Sequence, residues 1–584
     1  MYLNKEAIMP AKPSGEIKTF IVRSKQKNGD IYILERKVIY SPEKKYNKVL
    51  ETKLLGKIPK GQETPVPTRP KRKKGEKSPE KPKKLSASRE HIGMMDIIDH
   101  IGETSGIDAG IYEATDIGSA QKIISIARYL LATNGQSLPG ILTWQFNHPL
   151  PYTSGLSEGI YHDLFMRIGR DESLQQNFFM SRCRDLPDMA AIAYDSTTIS
   201  TYSDKQIEAR YGYNKAGDGL KTIKLLTLYS IDTGQPIAFT KQPGHVPDVI
   251  SIANALKQLS VLGLSTAEVV TDNGFYSENN LSEMFCAGYN FITLVQTRLK
   301  WVRQEIDAQM EELSSVKTVC PFEPGTHGVS VTVKHTFMRK RKYANHKNGK
   351  AKGDVESFER RMYLHIYFSL ERQTAARIEF EAELLELITA LESGVAVDDL
   401  PEVSQRMAEK YLIIHHRGGK ITVTPNEEAC KEAYRYHGYF VLVSNKEKDP
   451  FECLRKYRKR GLIESFFEAE KQHADGTRPR VWNADTLRGR MFVQFVALCY
   501  YEYLSDKIRT IKQNLCRPDS GLTKQEEKQE ARLLAWLKNT PLYLQLQWFD
   551  AIESVKVSSE LKAKRWSTEM TARDQLYLDK LGVK

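Results

Sequence analysis

Cysteine is scarce and scattered in this chain. Seven occur in 584 residues (Cys183, Cys286, Cys320, Cys430, Cys453, Cys499 and Cys516), an odd number with no C-x-x-C pair. That argues against a disulfide framework or a zinc module and fits a reducing cytosol. No stretch approaches the ~18 uninterrupted apolar residues of a membrane span. The opening MYLNKEAIMPAKPSGE has no apolar segment of the kind a secretory signal requires. Acidic residues are outnumbered: 73 Asp and Glu face 86 Lys and Arg, a net charge of +13. A large basic protein often has a polyanionic partner, most commonly nucleic acid. At 40% hydrophobic residues, the chain has core material for about three or four domains.

Composition and periodicity divide the chain. Residues 1–58 read as a small β-rich module, with Phe20-Ile21-Val22 and Ile31-Tyr32-Ile33-Leu34 flanking the hairpin signal Asn28-Gly29. Residues 59–87 are Pro- and Lys-rich without apolar periodicity and read as a linker. Its cluster of Arg69 and Lys71 to Lys74 could track a DNA backbone or be a solvated tether. Residues 88–188 are mostly helical, Ile123, Ile124, Ile126, Ala127, Leu130 and Leu131 forming one apolar face. They are assigned to DNA binding, although no helix-turn-helix pattern stands out. Residues 189–296 run strand, strand, strand, helix, strand, helix, strand, an order compatible with a ribonuclease-H-like mixed sheet. Residues 297–445 are too many for a loop and are expected to form an inserted β-rich domain. The core then resumes over 446–515, and 516–584 is a charged helical tail. The fold class expected is thus α/β and multidomain.

Polar residues at helical spacing mark the resumed core. At 100° per residue, Tyr457, Arg460, Glu464 and Lys471 fall within a stripe roughly 60° wide. Leu462, Phe466 and Ala469 face the other way. Asp449-Pro450-Phe451-Glu452 supplies an N-cap, a first-position proline and a capping-box glutamate. Gly461 inside such a helix costs up to about 1 kcal/mol. Taken alone, the stripe reads as a solvated face. Asp195 and Asp272, each following an apolar run, change that reading. Either one alone is a turn or cap aspartate. Three carboxylates gathered together would repel one another, and two Mg²⁺ ions about 3.5–4 Å apart would neutralise them.

These residues resemble the DDE transposases of bacterial insertion sequences, specifically the insertion-sequence-four group in the broad sense. Tyr457-Arg460-Glu464-Lys471 matches its Y-x2-R-x3-E-x6-K signature at every position. TDNGFYSENNLSEMFCAGYNFITLV resembles the segment of the second catalytic aspartate, and DSTTIS that of the first. The clear resemblance covers roughly 185–300 and 436–512. It implies that Asp195, Asp272 and Glu464 are catalytic and bind two Mg²⁺ or Mn²⁺ ions. Tyr457, Arg460 and Lys471 would hold DNA phosphates. The implied reaction is nicking at the element's ends followed by strand transfer. The implied partners are double-stranded DNA (terminal inverted repeats and target DNA) and a second copy in a homodimer, without a membrane, in the bacterial cytoplasm at the nucleoid. Some relatives stack a flipped base on an aromatic of the inserted domain. That would fall to Trp301, although a core tryptophan is the plainer reading. His245 and Asp248 could flank the site or start a helix. Two rivals share the fold: a transposase-derived protein that only binds DNA, and a metal-dependent nuclease that cuts without joining.

Overall fold

In a computed structural model of the protein, the described residues are 16–41, 46–66, 87–341, 351–417, 420–473, 481–517, 522–557, 566–567 and 570–583. The basic cluster at Arg69 and Lys71 to Lys74 lies outside them. The chain splits into two units, Met1–Ser86 and Ala87–Lys584. In the first, β1 (Lys18–Lys25), β2 (Ile31–Ser41) and β3 (Tyr46–Ile58) form an antiparallel meander. Gly29 takes φ 90° in the β1–β2 turn, a conformation strained for other residues.

The second unit opens with β4 (Ala87–His91) and a run of helices. These are α1 (Gly93–Thr104), α2 (Ile107–Ala114), α3 (Ile117–Ala132), α4 (Ile141–Trp144), α5 (Glu158–Arg170) and α6 (Glu172–Cys183). The apolar positions expected on α3 are buried. The strand–helix order expected over 189–296 is present. It comprises β5 (Ala191–Thr201), β6 (Lys221–Ser230), β7 (Gln235–Pro243), α7 (Ile252–Val261), β8 (Glu268–Thr271), α8 (Glu278–Ala287) and β9 (Asn290–Val295). β5, β8 and β9 are parallel, while β6 and β7 extend the sheet antiparallel.

The inserted region departs from expectation. After α9 (Lys300–Leu313), β10 (Thr326–Lys340) and β11 (Val355–Ser369) pair with each other, and β11 pairs with β14 (Tyr439–Ser444), which lies against β9. One eight-stranded sheet results, in the order β10-β11-β14-β9-β8-β5-β6-β7. The strands read as a separate β-rich domain therefore widen the main sheet. The β11 run from Met362 to Tyr367, His365 included, is buried in it. Between β11 and β14 stand α10 (Leu370–Glu392), α11 (Glu402–Tyr411), the hairpin of β12 (Leu412–Arg417) and β13 (Lys420–Pro425), and α12 (Glu427–Arg435). These elements have a small core of their own around Leu384, Leu387, Leu391 and Val423.

The chain returns through α13 (Pro450–Lys459) and α14 (Gly461–His473) to α15 (Ala484–Leu515), whose first half is almost wholly buried. α15 crosses α5 closely: a Cβ on Gly489 would stand 1.9 Å from the Phe165 carbonyl oxygen. The tail holds α16 (Lys524–Asn539), α17 (Leu542–Asp550), β15 (Glu553–Val557), β16 (Trp566–Ser567) and α18 (Ala572–Leu581). β15 pairs with β4, and Leu546, Phe549 and Tyr577 are buried, so the tail joins the core instead of projecting as solvated helices.

Candidate active site

The register of two parallel strands sets the first two carboxylates side by side. Tyr194 on β5 is level with Thr271 on β8, so Asp195 and Asp272 are the next residue on each path. Asp195 lies within β5, not at its end, because the strand continues through Ser196 to Thr201. Its Oδ1 accepts the Ser196 N–H at 2.7 Å. Asp272 follows β8 immediately, and its Oδ1 accepts the Asn273 N–H at 2.8 Å as a cap. The cap role is thus observed, and the same side chain stands beside Asp195.

The third carboxylate comes from a broken helix. The sequence predicted one continuous helix carrying Tyr457, Arg460, Glu464 and Lys471, but α13 stops at Lys459 and α14 starts at Gly461. Across the break, the Arg460 N–H bonds to Tyr457 O at 3.0 Å and the Ile463 N–H to Arg460 O at 2.9 Å, both tight three-residue turns. Gly461 is the physical reason: with its poor helix propensity, the helix yields there. A Cβ on Gly461 would meet nothing within 4 Å, so no close approach demands the glycine. Asp449 caps α13 as expected, accepting from Phe451 N–H at 2.7 Å and Glu452 N–H at 3.2 Å. Glu447, not Glu452, reaches back to the Asp449 N–H, while Glu452 pairs with Arg455. Lys456 ties α13 to the sheet through Glu268 at 2.8 Å and Glu447 at 3.2 Å.

Arg460 sits at the centre of the arrangement. Its Nη1 donates to Asp195 Oδ2 at 2.9 Å, and its Nη2 lies 2.7 Å from Glu464 Oε1 and 3.8 Å from Asp272 Oδ2. Tyr457 donates its hydroxyl to Asp272 Oδ1 at 3.1 Å. Two residues expected on DNA phosphates are thus engaged with the carboxylates. Both are buried, which rules out a plain solvated face for this half of the stripe. Burial pushes the Asp195 carboxyl above its usual range, and Arg460 only partly offsets it. Burial also raises the Tyr457 phenol, and Asp272 adds to that. Burial works against the Arg460 charge, but Tyr457 and the three carboxylates outweigh it and hold the guanidinium above its ordinary value. Glu464 is exposed, and Lys471, two turns further along α14, is half-buried.

Three carboxylates meeting on one buried cation form a site built for positive charge. The donors are all oxygen, the set that Mg²⁺ and Mn²⁺ take. A different group, His91, His148 and Asp550, has potential ligand atoms within 4.8 Å of one another. Each of its imidazoles lies against a backbone carbonyl. His91 Nδ1 lies 2.6 Å from Asp550 O, and His148 Nδ1 lies 2.7 Å from Trp144 O, carbonyls that only accept. His148 Nε2 meets Asp550 Oδ1 at 2.9 Å, and the ring lies flat on Trp144, so the cluster reads as a clamp between α4 and α17.

Trp301 is half-buried on α9, packed against the core with its ring 5.3 Å from that of His335. Asp248 pairs with the buried Lys224 at 2.8 Å in the turn before α7. Sequence reasoning missed two cations. Lys215 Nζ donates to Ser196 O at 2.8 Å, beside Asp195. Arg372, in the first turn of α10, lies over the Phe440 ring at 4.3 Å, where burial and the neighbouring Arg458 lower its pKa. Arg458 shares that ring at 5.4 Å and grips Glu323 with two bonds, at 2.9 and 2.6 Å. Nothing in the local pattern of Arg372 marks it, because an insertion helix brings it to the Asp272 side only through the fold.

A family model described as "Transposase DDE domain" matches residues 186–500, more than half of the chain. No curated protein matches the sequence. Among solved structures, the cryo-EM structure of a piggyBac transposase synaptic complex with hairpin DNA aligns over 84% of this chain and 82% of that chain. Identity is 9% and the TM-score 0.35, a likeness that carries no argument here. Asp195, Asp272, Tyr457, Arg460, Glu464 and Lys471 all fall inside the span matched by the family model, and the chain belongs to the transposase DDE domain family.

Proposed function

We propose that the protein is a DNA transposase of the insertion-sequence-four group, with a ribonuclease-H-like core. In this reading it binds the terminal inverted repeats of a bacterial element, cleaves the ends by metal-dependent hydrolysis and joins their 3′-OH groups to target DNA. The observation that carries this reading is the convergence of Asp195, Asp272 and Glu464 on one guanidinium, inside the span matched by the DDE model. The three carboxylates would hold Mg²⁺ or Mn²⁺, two ions in all. Bound there, the ions would supply Lewis acidity and a hydroxide-like nucleophile at neutral pH.

The chain's own groups would do the rest. The Arg460 fork matches two phosphate oxygens as well as it matches carboxylates. The Tyr457 hydroxyl beside it can donate to the same phosphate, and Lys471 adds a point charge further along α14. The side chain of Glu464 is 59% exposed, which leaves the third carboxylate open to the DNA. Holding two element ends together calls for a homodimer.

Purified protein incubated with Mg²⁺ and labelled element-end DNA tests the proposal. Joined products support it. Cleavage without joining would make the protein a nuclease, and a gel shift alone a DNA-binding relative without chemistry.

A further inference from the structure

The loop from β5 to β6 is anchored by polar and backbone contacts. Gln206 is buried, and its Nε2 donates to Val481 O at 3.0 Å and Asn483 O at 3.4 Å. Arg210 and Thr222 exchange backbone bonds at 3.1 and 2.9 Å. A Cβ on Gly212 would lie 2.5 Å from the Gly244 carbonyl oxygen, so backbone rests on backbone there. Lys215 closes the loop onto β5, its N–H on Thr198 Oγ1 at 3.1 Å and its Nζ on Ser196 O. The last contact lies one residue from Asp195.

Aromatic rings point outward. Tyr211 is 69% exposed, Tyr213 74% and Trp482, in the segment that Gln206 grips, 68%. Lys205 Nζ sits 4.8 Å from the Trp482 ring centre and Lys221 Nζ 5.7 Å from that of Tyr211. Asp204, next to Lys205, pairs with Lys221 at 2.7 Å, which links the two ring–cation pairs into one surface. A firmly anchored loop that leaves large rings in water points to a partner that uses them.

Rings interleaved with lysines suit unpaired nucleic acid, because bases stack on the ring faces while the cations meet phosphates. Paired bases expose edges, not faces, so a duplex cannot use the rings in this way. We propose that Tyr211, Tyr213 and Trp482 form a stacking platform for unpaired bases of the DNA strand that enters the Asp195 side of the carboxylate site. This rests on the DNA transposase reading. It adds that the protein holds locally opened DNA next to the cut.

The test measures fluorescence anisotropy of the full-length protein, in EDTA so that nothing is cleaved. One probe is a labelled oligothymidine strand and the other a blunt duplex of matched length. Tyr211→Ala, Tyr213→Ala and Trp482→Ala should each weaken strand binding about five- to a hundredfold while shifting duplex binding less than about twofold. Trp482→Phe, which keeps a ring, should retain most of the strand affinity, and this separates stacking from misfolding. Unchanged strand binding in all three alanine variants would overturn the platform, as would equal losses on both probes. Wild-type protein that binds the duplex but not the strand would refute the platform alone. Protein that binds neither would refute the DNA reading beneath it.

Discussion

Arg460→Ala should expose how much of the site depends on one guanidinium. The three contacts differ in worth. Glu464 and Asp272 have side chains 59% and 36% exposed, so their contacts with Arg460 contribute at most about 1 kcal/mol each. The Asp195 contact is buried on both sides, at 9% and 12% exposure. Removing one partner of a buried pair costs about 3–5 kcal/mol, because the other charge stays behind. Asp195 can escape part of that cost by taking up a proton, which its burial already favours. A carboxyl whose folded pKa lies above its unfolded value contributes stability in acid and loses it as pH rises through the folded pKa. The variant should therefore be destabilised by about 3 kcal/mol at pH 8 and by less at pH 5, where the carboxyl left behind takes up a proton more readily. Urea midpoints at the two pH values measure this. Mn²⁺ should also raise the midpoint more in the variant than in the wild type, since the carboxylates have lost their internal counterion. An equal loss at both pH values, with an unchanged response to Mn²⁺, would show that Arg460 does not neutralise the cluster.

Glu464→Gln should abolish cleavage of element-end DNA while leaving urea stability and gel-shift affinity almost unaltered, since the side chain is exposed; persistent cleavage would remove Glu464 from the site. Glu502 is buried, accepts the Tyr229 hydroxyl at 2.9 Å and is pushed by burial up to about 7. Its neutral form favours the fold, so stability should fall as pH rises from about 5 through 7; Glu502→Gln should flatten that slope in urea midpoints, and an unchanged slope would count against the assignment. Gly489→Ala would gain about 1 kcal/mol in an exposed helix. Here the Cβ 1.9 Å from Phe165 O should reverse the sign, to a loss of about 2 kcal/mol or more, and a more stable variant would disprove the close α5–α15 crossing.

Local rules made the core legible. Apolar runs of strand length and an amphipathic helix between them gave β5 through β9. Ser277 caps α8 by accepting the Asn280 N–H at 3.1 Å, a local rule of the same kind. Rules of that kind stop where partners are distant in sequence. β4 is the short polar run ASREH, without any pattern, and is a strand only because Glu553–Val557 pairs with it. β10 alternates and β11 carries a continuous buried run, but neither pattern says which sheet a strand joins. Their place in the main sheet follows from the register of Tyr363 to Phe368 on β14. The break at Arg460 was half visible: Gly461 signalled weakness, while the helical spacing of Tyr457, Arg460 and Glu464 argued for continuity.

The late position of Glu464 in the chain becomes intelligible through strand adjacency. The chain leaves the sheet at β9 and, after the whole excursion, re-enters at β14 directly beside it, Val295 level with Val441. The excursion is therefore long in sequence and nearly closed in space. β14 delivers α13 next to β8, where Lys456 reaches Glu268 and Tyr457 reaches Asp272. At the tight turn that follows, the arginine meets Asp195 while Glu464 projects to the open side. The contact of Arg460 with Glu464 at 2.7 Å keeps the spacing of one helical turn across the break, so one short segment joins the two aspartates of the sheet to an exposed third carboxylate.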